Sequence, residues 1–168
     1  MLVKMMNSKP SKNIKITILG IGNTLFQDEG VGVHALPFLE RIFHGDPDVE
    51  IIEGATDGMK LLGPVEDSEY LIIIDAINAG KPGGTIITLK GDEIPAFYGI
   101  KMSIHQLGFQ EVLLAAKLRE RFPAHIAMLG MQPSSLELGL EMSEDNWRNL
   151  PLLVDSIVDQ VKSWREVS

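Results

Sequence analysis

Two adjacent carboxylates follow a glycine turn near the start of the chain, and their position is chemically unusual. An apolar run ends at Gly20 and Gly22, and Asp28 and Glu29 come where a helix should begin. A glycine turn in this place usually leaves the N-terminus of the helix open for a phosphate, which the helix dipole attracts. Two carboxylates would repel a phosphate there. The segment therefore indicates a site for a cation.

A third carboxylate, Asp75, follows the continuously apolar run 70–74. Such a run is typical of a central parallel strand that is covered by helices on both faces. In an open α/β sheet, ligands bind beyond the carboxyl ends of the strands, where the chain order reverses. If the first and third predicted strands are neighbours, Asp75 projects beside the loop that carries Glu29. A bare Asp after a strand is often only a turn residue, but here it borders a dry core and needs a partner.

One histidine, His105, completes a possible set of ligands. Ser103 and Gln106 form the pattern of a capping box, which places His105 in the first turn of a helix near the same edge of the sheet. A lone histidine in this setting is more often a surface or packing residue. Two carboxylates and one imidazole suit zinc, nickel, cobalt or iron, and an open coordination position could hold a water or a substrate group.

A dinucleotide site is the competing interpretation of the glycine turn. It is disfavoured because Leu25 stands at the third glycine position and because the acidic residue Glu53 comes later than the fingerprint requires. The glycines could also serve only as a tight turn, with Asp28 as an N-cap. Asp57, in a glycine-flanked turn, either assists the site or caps the helix after it.

The bulk composition is that of one ordinary globular domain. The 168 residues are 45% hydrophobic and 23% charged, with a formal net charge of −8 and no cysteine. The absence of cysteine excludes a disulfide scaffold, a thiolate nucleophile and Cys-ligated metals. No cluster of Lys and Arg predicts nucleic-acid binding, and no apolar run reaches the ~20 residues that cross a bilayer. We expect a cytoplasmic protein, with residues 1–13 as a flexible extension and 14–168 as the domain.

The apolar periodicity predicts an α/β fold. Strands are expected near residues 14–19, 49–52, 70–74, 85–89 and 125–129. Helices are expected from about Gly30 with a kink at Pro37, over 59–62, from Ser103 to before Pro123, and from Ser143 onward. The helix after Ser103 should turn Leu107, Leu114 and Leu118 inward, and the last helix should bury Val154, Ile157, Val158 and Val161. Strands that alternate with helices imply a mostly parallel sheet.

The segment GIGNTLFQDEGVG at 20–32 closely resembles the N-terminal motif of the nickel–iron hydrogenase maturation endopeptidases. Three further segments resemble motifs of the same family in the same order: TDGM at 56–59, LIIIDA at 71–76 and SIHQLG at 103–108. The resemblance runs from about Ile14 to Val161. Ile104 is a mild departure, since a proline is common before the family's histidine.

The resemblance implies a fold, an activity and a site. The fold is a single three-layer α/β/α domain with a mostly parallel, twisted five-stranded sheet. The activity is endopeptidase cleavage that removes the C-terminal extension of the hydrogenase large-subunit precursor after nickel insertion. The family's metal-binding positions map onto Glu29, Asp75 and His105, which we also take as the catalytic residues. Asp28 and Asp57 are possible supporting groups beside them. The metal is nickel carried by the precursor, and zinc or cadmium could occupy the same site.

Several alternatives stay open at the level of sequence. The nickel could act as a recognition device that positions the scissile bond, or a bound metal could activate a water, with one carboxylate as general base in either case. A non-catalytic α/β module for a nucleotide or flavin, and a precursor-binding chaperone without peptidase activity, are competing functions. We expect a monomer with no nucleic-acid or membrane partner.

Overall fold

The computed structural model describes residues 13–54, 58–100 and 107–167, and a single sheet runs through them. Its strands are β1 (Ile16–Ile21), β2 (Val49–Gly54), β3 (Tyr70–Ala76), β4 (Ile86–Lys90) and β5 (His125–Met131). They lie in the order β2-β1-β3-β5-β4. All neighbouring pairs are parallel except β4 with β5, which is antiparallel. The predicted five-stranded, mostly parallel sheet is therefore confirmed.

Six helices connect and cover the described strands. They are α1 (Val31–His34), α2 (Leu36–Ile42), α3 (Leu62–Glu66), α4 (Glu93–Ile100), α5 (Leu107–Leu118) and α6 (Glu144–Val167). Short 3-10 turns, Gln27–Gly30 and Gly58–Leu61, precede α1 and α3. The kink predicted at Pro37 is a break at Ala35 between α1 and α2, and α4 was not predicted at all. Among the described residues, no helix has both the length and the apolarity to cross a bilayer.

Alternation along β3 divides the core into two layers. Ile72 and Ile74 face one layer, which also contains apolar side chains of α1, α2 and α6. Leu71 and Ile73 face the other layer, with side chains of α3, α4 and α5. Every residue of β3 is buried, as expected for a central strand with helices on both faces. Each fully buried Ile or Leu contributes about 1.5–3 kcal/mol through the hydrophobic effect.

The inward face of α5 differs from the prediction. Leu114 and Leu118 are 56% and 77% exposed, whereas Phe109, Val112 and Leu113 are buried. The two sets have similar spacing, but adjacent helical residues point ~100° apart, so only one set can face the sheet. The ring of Phe109 packs edge-on against Tyr98 of α4, which fixes the rotation of α5. The side chain of Leu107 lies outside the described residues. In α6 the predicted apolar face is confirmed.

Two glycines, Gly20 and Gly32, allow the backbone of α1 to contact the backbone of the sheet. A methyl group on Gly32 would overlap the carbonyl oxygens of Ile21 and Ile74, which belong to neighbouring strands. A methyl group on Gly20 would in turn overlap the carbonyl oxygen of Gly32. The helix therefore lies directly on the ends of β1 and β3, and the turn that precedes it is held at the carboxyl edge of the sheet.

Candidate active site at the carboxyl edge of the sheet

The strand order creates a cleft at the ends of β1 and β3. The chain passes from β1 to its neighbour β2 on one side and later returns to β3 on the other side. The connections after β1 and β3 therefore diverge, and this topological switch point is where open α/β sheets bind ligands. Of the predicted ligands, Glu29 follows β1, whereas Asp75 lies within the last two residues of β3 and not after it.

The structure brings the segments of Glu29 and Asp75 together around Gly22. Gly22 has a φ of +136°, in the region that favours glycine. A methyl group there would overlap the carbonyl oxygen of Glu29 and would lie 3.7 Å from Oδ1 of Asp75. Both carboxylate residues are buried. The predicted neighbourhood of these two residues is thus observed.

Asp75 has the partner that its buried position requires. Its Oδ2 accepts a hydrogen bond of 2.9 Å from the hydroxyl group of Tyr98, and its Oδ1 accepts one of 2.8 Å from the backbone N–H of Ala76. Asp75 lies on the sheet face of Leu71 and Ile73, which is the face that α4 covers. The helix that was not predicted therefore supplies the donor.

The pKa of the Tyr98 hydroxyl group is affected by both acidic residues, Asp75 and Glu29. Burial raises the pKa of Tyr98 well above its usual value of 10.0, and the charge of Asp75, its hydrogen bond and the charge of Glu29 raise this pKa further. The ring is packed edge-on by Phe97 and Phe109, with centroid distances of 5.1 Å to each. Tyr98 is consequently held as a neutral donor beside the site.

Asp28 is a structural anchor. Its carboxylate is fully buried and accepts hydrogen bonds from the N–H groups of Ser134 (2.8 Å), Ser135 (3.0 Å) and Ser143 (2.7 Å) and from the Ser143 hydroxyl group (2.8 Å). The alternative that Asp28 caps its own helix is wrong, because these donors come from the loop before α6. Ser143 itself caps α6, as predicted, through the N–H of Asn146.

Two predicted residues, His105 and Asp57, lie outside the described residues, so their roles stay predictions. The described residues that flank them are in contact, since a methyl group on Gly58 would overlap the backbone of Gly108. Within residues 13–54, 58–100 and 107–167 no group of three His, Cys, Asp or Glu side chains could hold a metal. Of the predicted set, the described part of the chain thus places Glu29 and Asp75.

The other histidines have packing roles or lie on the surface. His34 packs against Trp147 with a centroid distance of 5.2 Å, and His125 stacks on Tyr70 at 4.3 Å. His44 is exposed after the end of α2.

Tyr98 and the loop that Asp28 anchors were not predicted from the sequence. The requirement that buried Asp75 must have a partner pointed to a donor, but it gave no position for it. The residues around Tyr98 are apolar on nearly every side, EIPAFYGI, so no helical periodicity marks α4. Ser134 and Ser135 contribute through their backbone N–H groups, which residue type does not reveal.

The sequence model of the hydrogenase maturation protease family matches residues 33–160 of this chain. The hydrogenase 2 maturation protease of Escherichia coli is 41% identical over 125 residues, which cover 74% of this chain and 76% of that protein. The hydrogenase expression/formation protein HupD of Bradyrhizobium diazoefficiens is 43% identical over 128 residues, which cover 76% of this chain and 67% of the relative. HupD of Thiocapsa roseopersicina is 41% identical, but only 56% of its length is covered.

A solved structure gives the same result for the fold. The hydrogenase maturating endopeptidase HybD of E. coli superimposes with a TM-score of 0.82 at 32% sequence identity. The superposition covers 89% of this chain and 93% of that one. The α/β sheet and its helices are therefore those of a known peptidase structure.

Replacement of Asp28 by Asn should destabilise the fold. An amide would direct an NH2 group at donors that need an acceptor, and a buried donor without a partner costs about 1–3 kcal/mol. We expect the free energy of unfolding of Asp28→Asn, measured by urea denaturation, to fall by at least 2 kcal/mol. The same change at Asp159, which is exposed on α6, should leave it nearly unchanged. Equal stability of the two variants would contradict the anchoring role.

The raised pKa of Tyr98 predicts a specific loss of stability at alkaline pH. Folded Tyr98 keeps its proton at pH values where the unfolded tyrosine, with a pKa of about 10, releases it. The unfolded state then binds fewer protons, so stability falls as the pH rises above 10 and towards the folded-state pKa. Urea denaturation at several pH values should show a steeper fall for the wild type than for Tyr98→Phe. If the stability of the two proteins fell equally with pH, the raised pKa of Tyr98 could not be the cause of the loss.

Proposed function

Because this chain belongs to the hydrogenase maturation protease family, a family of peptidases, we propose that it cuts the precursor of a nickel–iron hydrogenase large subunit. The cut removes the C-terminal extension of that precursor after nickel has been inserted. The observation that carries the proposal is that two buried acidic residues meet at one glycine at the switch point of the sheet: the backbone carbonyl of Glu29 and the carboxylate of Asp75 both lie beside Gly22. The chain acts as a cytoplasmic monomer in this proposal.

The carboxylates are suited to a divalent cation. A carboxylate oxygen has two lone pairs, so Oδ2 of Asp75 can accept from Tyr98 and still bind a metal ion. Glu29 and Asp75 would supply oxygen ligands, and His105 would supply the imidazole that nickel, zinc and cadmium accept.

In this proposal the nickel belongs to the substrate. Its capture by Glu29, Asp75 and His105 would fix the precursor so that the scissile peptide bond lies in one position, which removes much of the entropic cost of the reaction. One of the two carboxylates would take the proton of the attacking water as general base. Tyr98 would orient Asp75 for either task through its hydrogen bond.

Substitution of the three proposed ligands tests the site. Glu29→Gln, Asp75→Asn and His105→Ala should each slow removal of the extension by at least about 100-fold, because each loses a ligand for the substrate's nickel. The measurement is the mass of the large subunit after incubation with nickel-loaded precursor. Glu40→Gln, at an exposed position on α2, is the matched control and should process normally. Normal processing by all three variants would contradict the assignment of these residues as ligands.

A metal-free preparation tests the source of the metal. Protein that has been treated with a chelator, and shown by elemental analysis to contain no metal, should still shorten nickel-loaded precursor at the wild-type rate. It should leave nickel-free precursor intact. Activity that returns only after zinc is added to the peptidase would instead indicate a resident metal that activates water. Binding of the precursor without shortening would favour the chaperone alternative.

A further inference from the structure

Four exposed leucines lie beside the candidate active site. Leu25 follows β1, and Leu136, Leu138 and Leu140 lie in the loop between β5 and α6, with exposures of 52%, 46%, 76% and 66%. We call these four residues the leucine surface. A concentration of large apolar side chains in a short loop is unusual for a surface and is typical of a place where a partner binds.

The leucine surface has a fixed backbone. Gln27 donates its N–H to the carbonyl of Gly139 (2.9 Å), and Gly139 donates to the carbonyl of Leu25 (2.8 Å). This parallel bridge pairs Phe26 with Gly139, and its register therefore places Leu138 beside Leu25. Gln27 keeps a φ of +45°, an unfavourable value for a residue other than glycine. The bridge thus holds a strained backbone in place.

The same loop is attached to the site itself. The Asp28 carboxylate binds Ser134 and Ser135 before the leucines and Ser143 after them. Asp28 is adjacent in sequence to Glu29. A polypeptide bound on the leucine surface would consequently lie next to the carboxylates at the ends of β1 and β3.

The charge around the leucines defines the chemistry of the partner. Glu137, Glu141 and Glu144 are exposed in and after the loop, and no Lys or Arg occurs between residues 132 and 147. The whole chain also carries a net charge of −8. An apolar segment that carries Lys or Arg would bury the leucines and pair with these carboxylates.

We propose that the leucine surface docks a segment of the substrate precursor that is apolar and carries Lys or Arg. The proposal rests on the proposed function, since the precursor is the substrate of the adjacent site. The surface holds the precursor, whereas the carboxylates at the sheet edge carry out recognition of nickel and cleavage. Loss of the leucines therefore weakens binding without changing the chemical step.

Kinetics of processing with nickel-loaded precursor test this surface. The double variant Leu136→Ser/Leu138→Ser should raise KM at least tenfold and leave kcat unchanged. Leu118→Ser is the matched control. Leu118 is as exposed as Leu138, but it lies at the end of α5, where the chain leads into the first residues of β5 at the amino edge of the sheet, opposite the site. The wild-type KM should rise with salt, and Glu137→Gln/Glu141→Gln should reduce this dependence.

The outcomes separate this proposal from the proposed function. Cleavage by the double variant with an unchanged KM overturns the docking role and leaves the peptidase function intact. If the wild type fails to shorten the precursor, the proposed function fails. In that case, binding of the same precursor tests the docking role. Docking is supported if the wild type binds the precursor and the double variant does not, and it is overturned if the wild type does not bind. A wild type that sediments as a dimer, with a monomeric double variant, would assign the leucines to a second copy of this chain and overturn docking of the precursor.

Discussion

The buried carboxylate of Asp28 is the interaction on which the geometry of the site depends. A charge that is removed from water is tolerated only when its oxygen atoms are fully hydrogen-bonded, and Asp28 meets this condition with four donors. All of these donors lie more than 100 residues away in sequence. One side chain therefore joins the turn that carries Glu29 to the loop that starts α6. Neither segment can shift without leaving several polar groups unsatisfied.

Steric constraints add to this electrostatic one. Gly20 and Gly32 allow the first helix to touch the backbone of β1 and β3, and Gly22 allows the Glu29 carbonyl to pass close to Asp75. Each of these contacts excludes even a methyl group. Since the strand order places β1 beside β3, the glycines bring the Glu29 and Asp75 segments together at the point where the topology already opens a cleft.

The parts of the fold that depend on local patterns could be predicted from the sequence. The buried run of β3, the cap at Ser143 and the break near Pro37 follow from residue type and spacing, and the structure confirms them. The rotation of α5 could not be predicted, because two apolar faces compete and the choice depends on contact between Phe109 and Tyr98.

The site was predictable only in part, because some of its contacts join segments that are far apart in the sequence. Glu29 follows β1 and Asp75 lies at the end of β3, so their proximity could be expected once these two strands were taken as neighbours, which the structure shows them to be. The donors of Asp28 lie far away in the chain, and no local pattern connects them with it. The N-cap interpretation used only neighbouring residues, and it failed because the carboxylate binds a distant loop.

Two aspartates of the site show how surroundings give one residue type different roles. Asp28 receives all its hydrogen bonds from one loop and is fixed as a support. Asp75 receives one bond from its own neighbour and one from Tyr98, a neutral phenol whose pKa is raised by burial and by the carboxylate charges. A neutral donor orients Asp75 without cancelling its charge. A lysine in the same place would form an ion pair with the carboxylate and cancel its charge, which the hydroxyl group of a neutral tyrosine does not do.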